Sequence, residues 1–376
     1  MGVSNVMLGG SSLMDITDTT ATPESVLEGY IFYAANGNRM IGTAKSSSMF
    51  DDYIITIPYR PNLIDVTNTN FNDISNRIAW PGESSTIRGY LIGDNVKNCS
   101  HLFQNMVDRF YIRMGNGIVN CAYMFNNIQN ANLLEQPINI PDATIDCGGM
   151  FFNCLNYNYL VTFGNNVSNC SNMFNRCWNF NQPINMSNSI TNCEYMFESC
   201  YNFNQPIIFS RNMINACNMF RYCRNFNQPI TLYDNLDNCA SMFENCYAFD
   251  RQVIIPNTVT NCANMFAHCS SFNPISMIIP NSVNNAYYMF NGTRFIDSQY
   301  SNKNIFIKRD HDIYLASIIY GHSNYARMNI YCNNLDLLKN YSLTGYDTSS
   351  SWRTTTNGYY NSSLNVYLYK NMPAGI

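Results

Sequence analysis

Charge is scarce in this chain. Asp, Glu, Lys and Arg make up 12% of its 376 residues, where ordinary soluble proteins carry roughly 25%. The net charge of −4 leaves no basic stripe, so nucleic acid is not expected as a partner. Only four histidines occur, His101, His268, His311 and His322, and they are scattered. No run of 18 apolar residues is present, so no membrane insertion is expected. The first residues, Met1 to Asp15, lack the cationic start of a secretory leader. They also miss the myristoylation pattern, because Val6 stands where Ser or Thr is required. Folding in a reducing cytoplasm is the expectation.

Chemistry is missing in the same way. There is no Gly-rich phosphate loop, no His-Glu-x-x-His and no Gly-x-Ser-x-Gly. The acidic residues follow no spacing tied to any repeat. The one dense polar triplet, Asp310-His311-Asp312, reads as a solvated turn. The chain is therefore expected not to be an enzyme, and to carry no catalytic residue, cofactor or metal.

What the sequence does have is repetition. Nine in-phase pairs run through its middle: Leu102-Phe103, Met124-Phe125, Met150-Phe151, Met173-Phe174, Met196-Phe197, Met219-Phe220, Met242-Phe243, Met265-Phe266 and Met289-Phe290. The steps between them are 22, 26, 23, 23, 23, 23, 23 and 24 residues. A period this regular marks a solenoid, in which each unit buries its apolar face only against its neighbours.

Of fifteen cysteines, fourteen accompany the pairs and Cys332 stands apart. One set, such as Cys193 and Cys262, stands three residues before the Met, with Cys217 shifted by one; the other, such as Cys200 and Cys269, follows the Phe by three. Cys193, Met196, Phe197 and Cys200 have the spacing i, i+3, i+4, i+7, which reads as one face of a short helix. Free cysteine packs as a small hydrophobe. Buried thiol columns are therefore expected, rather than zinc sites or a disulfide framework.

In the unit Val259 to Pro280, Asn261 can cap the turn that follows, and Phe272 closes the expected helix against the core. Asn273-Pro274 make a turn, and Ile278-Ile279 read as a strand ended by Pro280. The same strand slot holds Ile138–Ile140, Ile184–Met186, Ile207–Phe209, Ile230–Leu232 and Val253–Ile255. Ahead of it the turn Phe-Asn-Gln-Pro recurs at 180–183, 203–206 and 226–229. Asn there can satisfy turn backbone, and Pro suits the start of a strand.

The order Val-x-x-Cys-x-x-Met-Phe-x-x-Cys-x-x-Phe followed by Ile-x-Ile-Pro resembles the BspA-type leucine-rich repeat of bacterial surface proteins. The segment Met-Phe-x-x-Cys-x-x-Phe-Asn-Gln-Pro is similar to a related repeat of surface lipoproteins and adhesins. The resemblance implies a leucine-rich-repeat-like solenoid over 96–291, with a short parallel strand and a short helix in each coil of about 23 residues. Irregular β-rich caps are expected at both ends, over 46–95 and over the Tyr-rich 292–376. A separate C-terminal β domain is the rival for the second of these. Strand candidates outside the repeats are Ile54–Pro58, Asn304–Lys308, Met328–Tyr331 and Leu364–Tyr369.

A second resemblance lies in residues 1–45. Leu27, Gly29, Tyr30, Asn36, Gly37, Ile41, Gly42 and Thr43 match a short module found near the N-termini of phage tail and baseplate-associated proteins. Asn36-Gly37 reads as the turn of a β-hairpin. The module implies a virion protein, assembled in the host cytoplasm and exposed on the particle, whose N-terminal segment meets other virion proteins. On that reading the solenoid is a host-recognition component for a cell-surface glycan or protein. The outward strand column Asn139, Asn185, Ile208, Thr231 and Ile254 is its candidate contact surface. A head-decoration protein and a bacterial surface or interaction scaffold are the alternatives, and a homo-oligomer is open.

Overall fold

A computed structural model describes the strands within 5–41 and 54–57, then 88–297 apart from 108–109 and 131–132. Toward the C-terminus it describes 302–308, 318, 327–332, 352–356, 358–361, 366–370 and 373. Strands β1 (Asn5–Leu8) and β2 (Ser11–Asp15) pair antiparallel. So do β3 (Ile31–Tyr33) and β4 (Arg39–Ile41), the two arms of the expected hairpin. Tyr33 faces Arg39 across that pair, which leaves 34–38 between the arms. The Asn36-Gly37 turn itself lies outside the described residues.

Stacking in parallel begins with β5 (Ile54–Ile57), β6 (Arg88–Ile92) and β7 (Phe110–Arg113), where successive strands pair side by side. Through the repeats, eight parallel bridges then join nine Asx residues in series, Asn98, Asn120, Asp146, Asn169, Asn192, Asn215, Asn238, Asn261 and Asn285. The molecule is a solenoid, and its rungs are the repeats.

The short helix per coil is not there. In its place runs a chain of tight turns, and the backbone explains why. From Cys193 to Cys200 the N–H groups alternate in what they bond. Those of Cys193, Tyr195, Phe197 and Ser199 donate to carbonyls of the next coil, at Asn215, Cys217, Met219 and Arg221. Those of Met196, Glu198 and Cys200 donate three residues back within their own coil. A helix keeps all its bonds inside itself, and this segment gives half of them to its neighbour.

Left-handed residues fix the geometry. Tyr195 has φ of 56° and Ser199 of 61°. The same two slots, before the Met and two past the Phe, carry positive φ in every coil, with Gly149 and Gly292 among them. A residue in that region every four positions is incompatible with a right-handed helix. The apolar spacing i, i+3, i+4, i+7 survives because each run of turns also points Cys, Met, Phe and Cys inward.

The core consists of stacked columns. Phe174, Phe197 and Phe220 stack with centroids 5.5 Å apart and planes 8° and 2° apart. A second column, Phe180, Phe203, Phe226, Phe249 and Phe272, stacks at 5.8–6.0 Å. Within a coil the columns touch, as at Phe197–Phe203 (4.5 Å). Each such pair adds about 0.5–1.5 kcal/mol beyond simple burial.

The repeat thiols line the core as expected, except Cys217, which is half-buried while Ala216 takes the inward place; the six that follow the Phe also carry a bond. Cys154, Cys177, Cys200, Cys223, Cys246 and Cys269 each donate S–H to a buried Phe carbonyl of the preceding coil, at 2.8–3.0 Å. A thiol suits this place because it is apolar enough to bury and still a weak donor. All fifteen cysteines are free.

Asparagine does on the rim what the rings do inside. In all nine Asx rungs the side-chain Oδ1 accepts the backbone N–H two residues on, at 2.8–3.2 Å, as Asn192 does for Glu194. The predicted turn-capping role of Asn261 is therefore observed, and it is repeated in every coil. A further column links Asn156, Asn179, Asn202 and Asn225 by amide-to-amide bonds. Gln136 fills a gap where the 26-residue coil departs from register. Its buried amide bonds both the N–H (2.8 Å) and the C=O (2.6 Å) of Ile112, as a strand neighbour would.

True strands in the repeats are brief: β8 (Ile138–Asn139), β9 (Val161–Thr162), β10 (Ile184–Asn185) and β11 (Ile207–Ile208), then the longer β12 (Ser276–Ile279). The strand slots expected at Ile230–Leu232 and Val253–Ile255 are not strands. Val253 and Ile255 still face inward and Ile254 outward. Apolar alternation sets which side is buried, while the stack there is carried by rings and turns.

One turn of helix, α1 (Arg294–Asp297), ends the repeats. The sheet then continues. Strands β13 (Lys303–Ile307), β14 (Met328–Cys332) and β17 (Val366–Tyr369) add in parallel onto β12. The hairpin β15 (Trp352–Thr355) and β16 (Gly358–Asn361) closes the edge antiparallel. The three strand candidates of this region are thus continuous with the last repeat.

Candidate functional site

Along each repeat strand one side chain turns in and the next turns out. Ile138, Val161, Ile184, Ile207, Val253 and Met277 are buried. Their neighbours Asn139, Thr162, Asn185, Ile208, Ile254 and Ile278 are exposed, and Thr231 is exposed at the same phase. Asn139 lies directly beside Thr162, and Asn185 beside Ile208. The five residues singled out from sequence, Asn139, Asn185, Ile208, Thr231 and Ile254, therefore do share one outward column. Sequence reasoning missed two members, Thr162 and Ile278. The first was hidden because Val161-Thr162 lacks the Ile-x-Ile form. The second had been placed in a strand without asking which way it faced.

The column changes character along its length. At the N-terminal end Thr162 Oγ1 donates to Asn139 Oδ1 at 2.7 Å, and Asn185 keeps the surface polar. Toward the other end it is apolar: Ile208 is 60% exposed, Ile254 83% and Ile278 42%. Two residues earlier, Pro137, Leu160, Pro183, Pro206, Pro229 and Gln252 form a second exposed column. None of these side chains is charged. An exposed strip that is uncharged and partly apolar is characteristic of a contact surface.

The other groups with reactive potential are locked into the fold. Burial raises the repeat thiols, Cys154 and Cys262 to about 12, so they stay protonated at neutral pH and are poor nucleophiles. Cys147 and Cys170 approach to 3.6 Å inside the core. His101 occupies a left-handed turn slot, stacks on Tyr123 and bonds Gln104. His268 occupies the second left-handed slot of its coil. Among the described residues no group of three His, Cys, Asp or Glu side chains is placed to hold a metal ion. No helix among them is long and apolar enough to cross a membrane.

Several predicted residues lie outside the described ones: Leu27, Gly29, Tyr30, Asn36 and Gly37 of the hairpin module, and Asp310, His311, Asp312 and His322.

The repeat region matches the family described as "Mycoplasma protein of unknown function, DUF285", over 119–231, 145–258 and 210–303. These overlapping matches span just under half of the chain. A crystal structure of a leucine rich cell surface protein from Faecalibacterium prausnitzii A2-165 overlaps 84% of this chain and 96% of its own. The identity is 13% and the TM-score 0.35. No curated protein sequence matches the chain.

Proposed function

We propose that this protein is a surface-displayed, non-enzymatic recognition module whose solenoid meets its partner along the outward strand columns. The observation that carries this reading is the uncharged strip from Asn139 to Ile278, which leaves Ile208 and Ile254 in water over a finished core. A monomer gains nothing from exposing such residues in register, while a partner that covers them gains their burial.

The finer placing is a phage virion, as a tail- or baseplate-associated adhesin for a host-surface glycan or protein. It is supported by the N-terminal module and by the antiparallel pairing of β3 with β4 inside it. On this reading the N-terminal segment attaches to other virion proteins. A cellular surface scaffold is the second reading, favoured by the repeat match to a Mycoplasma family.

Immunogold electron microscopy with an antibody to this chain separates them. Label at the tail tip of purified particles supports the adhesin. Label over the head indicates a decoration protein. Label on cell surfaces and on no particle removes the virion reading and leaves the scaffold.

A further inference from the structure

The residue after the second cysteine of each coil points outward, and across four coils it reads Trp178, Tyr201, Arg224 and Tyr247. Backbone bonds hold these rungs in line, from Asn202 N to the Trp178 carbonyl (3.1 Å) and from Ala248 N to the Arg224 carbonyl (3.0 Å). Trp178 stacks on Tyr201 at 5.6 Å. The Arg224 guanidinium lies over Tyr201 at 4.4 Å and over Tyr247 at 6.0 Å.

Arg176 and Arg211 each lie over one ring, Phe152 and Tyr233, whereas Arg224 lies over two, one from each neighbouring coil. Arg221 is held by Glu198 (3.3 Å) and Glu244 (3.2 Å), and Arg251 donates to the Asn227 carbonyl. The guanidinium of Arg224 meets no carboxylate and no hydrogen-bond acceptor among the described residues; ring faces alone hold it. Arg224 is exposed, so its N–H fork is open to a ligand. That fork is the geometry that takes a carboxylate with two parallel bonds. Stacking has already ordered a side chain that would otherwise lose rotamer freedom on binding.

Its neighbours in the ladder are aromatic and polar. The phenol hydroxyls of Tyr201 and Tyr247 have no hydrogen-bond partner among the described residues, and the amides of Asn202 and Asn225 stand exposed next to the ladder. We infer that Arg224, between Tyr201 and Tyr247, is a binding site for a carboxylate-bearing glycan, with the acid on the guanidinium and sugar hydroxyls on the phenols and amides. This rests on the surface-recognition reading and adds a ligand class on a face separate from the strand columns.

The test is retention of the full chain on immobilised polygalacturonate, dextran and polyglutamate at low and high salt. Wild type should bind polygalacturonate, lose binding as salt screens the contact, and ignore dextran. Arg224→Gln should bind about tenfold or more weakly, which is about 1.4 kcal/mol. Arg224→Lys should also weaken binding, because the charge remains but the planar fork does not. Both variants should melt with wild type, since the site lies outside the core. Equal retention of wild type and Arg224→Gln, or no retention of wild type, overturns the site. Equal Arg224-dependent retention on polyglutamate overturns the glycan assignment in favour of an acidic peptide. Display of the chain on a surface without polygalacturonate binding removes this site and spares the broader reading. Glycan binding through Arg224 by a chain that is not displayed does the reverse.

Discussion

The central coils and the C-terminal sheet solve one problem in two ways. Both stack segments in parallel over a continuous core. In the sheet, strands of four or five residues pair along their whole length, Lys303 to Ile307 against Met328 to Cys332. In the coils the strands shrink to two residues or none, and the stack is held by turns that send alternate N–H groups to the next coil, by two columns of phenylalanine and by asparagine side chains. A strand ladder tolerates almost any outward residue. A turn ladder demands particular ones, and that is why the coils repeat in sequence while the C-terminal sheet does not.

The sharpest way to break this contrast is alkali. An unfolded thiol ionises near 9.0, whereas burial holds Cys154 and Cys262 to about 12. Eleven more repeat thiols are shifted in the same direction, first by burial. Above pH 9 the unfolded chain therefore binds fewer protons than the folded one, and stability falls as pH rises. The contribution is intact below pH 9 and is lost between 9 and the folded value, at about 1.4 kcal/mol per thiol per pH unit. Summed over many thiols, this exceeds a typical stability of about 5–15 kcal/mol. Thermal unfolding across pH should show a plateau up to pH 9 and collapse of the coils before 12. Survival at pH 12 with protonated thiols replaced by thiolates, read from thiolate absorbance, would contradict the buried columns.

A single ring comes next. Phe197 is fully buried between Phe174 and Phe220, so Phe197→Ala should cost about 3–5 kcal/mol in chemical denaturation. A loss below 1 kcal/mol would remove the ring columns as the main support of the coils.

Asparagine is the third target. Asn192→Ala removes the acceptor of the Glu194 N–H (3.2 Å), and should cost about 0.5–1.5 kcal/mol. Asn192→Asp keeps that acceptor but loses the N–H donated to Asn169 Oδ1 (3.2 Å), and should fall between wild type and Asn192→Ala. Equal losses from the two changes would mean that the side-chain bond is not what matters there.

The smallest effect is the most discriminating, because its sign decides. Ser199 sits at φ 61°. Glycine adopts that region freely, so Ser199→Gly should raise stability by a few tenths to about 1 kcal/mol. In a helix interior the same change would cost about 0.5–1 kcal/mol. Paired melts of the two proteins settle turn against helix.

That last point marks where the sequence was legible. The period, the inward columns of Cys, Met and Phe, the free thiols and the outward set of Asn139, Asn185, Ile208, Thr231 and Ile254 all follow from spacing, because burial is what spacing encodes. Backbone conformation is not encoded that way. Cys193, Met196, Phe197 and Cys200 face one side equally well on a helix or on a run of turns. The signal that separates them was present, in residues the apolar pattern passes over. The left-handed slots hold Asn at 105, 127, 153, 172, 218, 245 and 264, and Gly at 149 and 292. These are the two residues that accept such a conformation most readily. Tyr195 and Arg176 in the same slots obscure the pattern. The Arg224 ladder was invisible for a different reason: no column of mixed Trp, Tyr and Arg looks periodic until the coils are stacked.

The eight parallel bridges that join Asn98 to Asn285 have a mechanical side. Each rung meets the one above and the one below by the same donors and acceptors, so a coil has no knowledge of its place in the row. Adding or removing one 23-residue unit would lengthen or shorten the body by about 4.8 Å and leave the pattern of backbone bonds between coils as it was. The length of such a body is set in steps of one coil, and the backbone pairing at each step is the same.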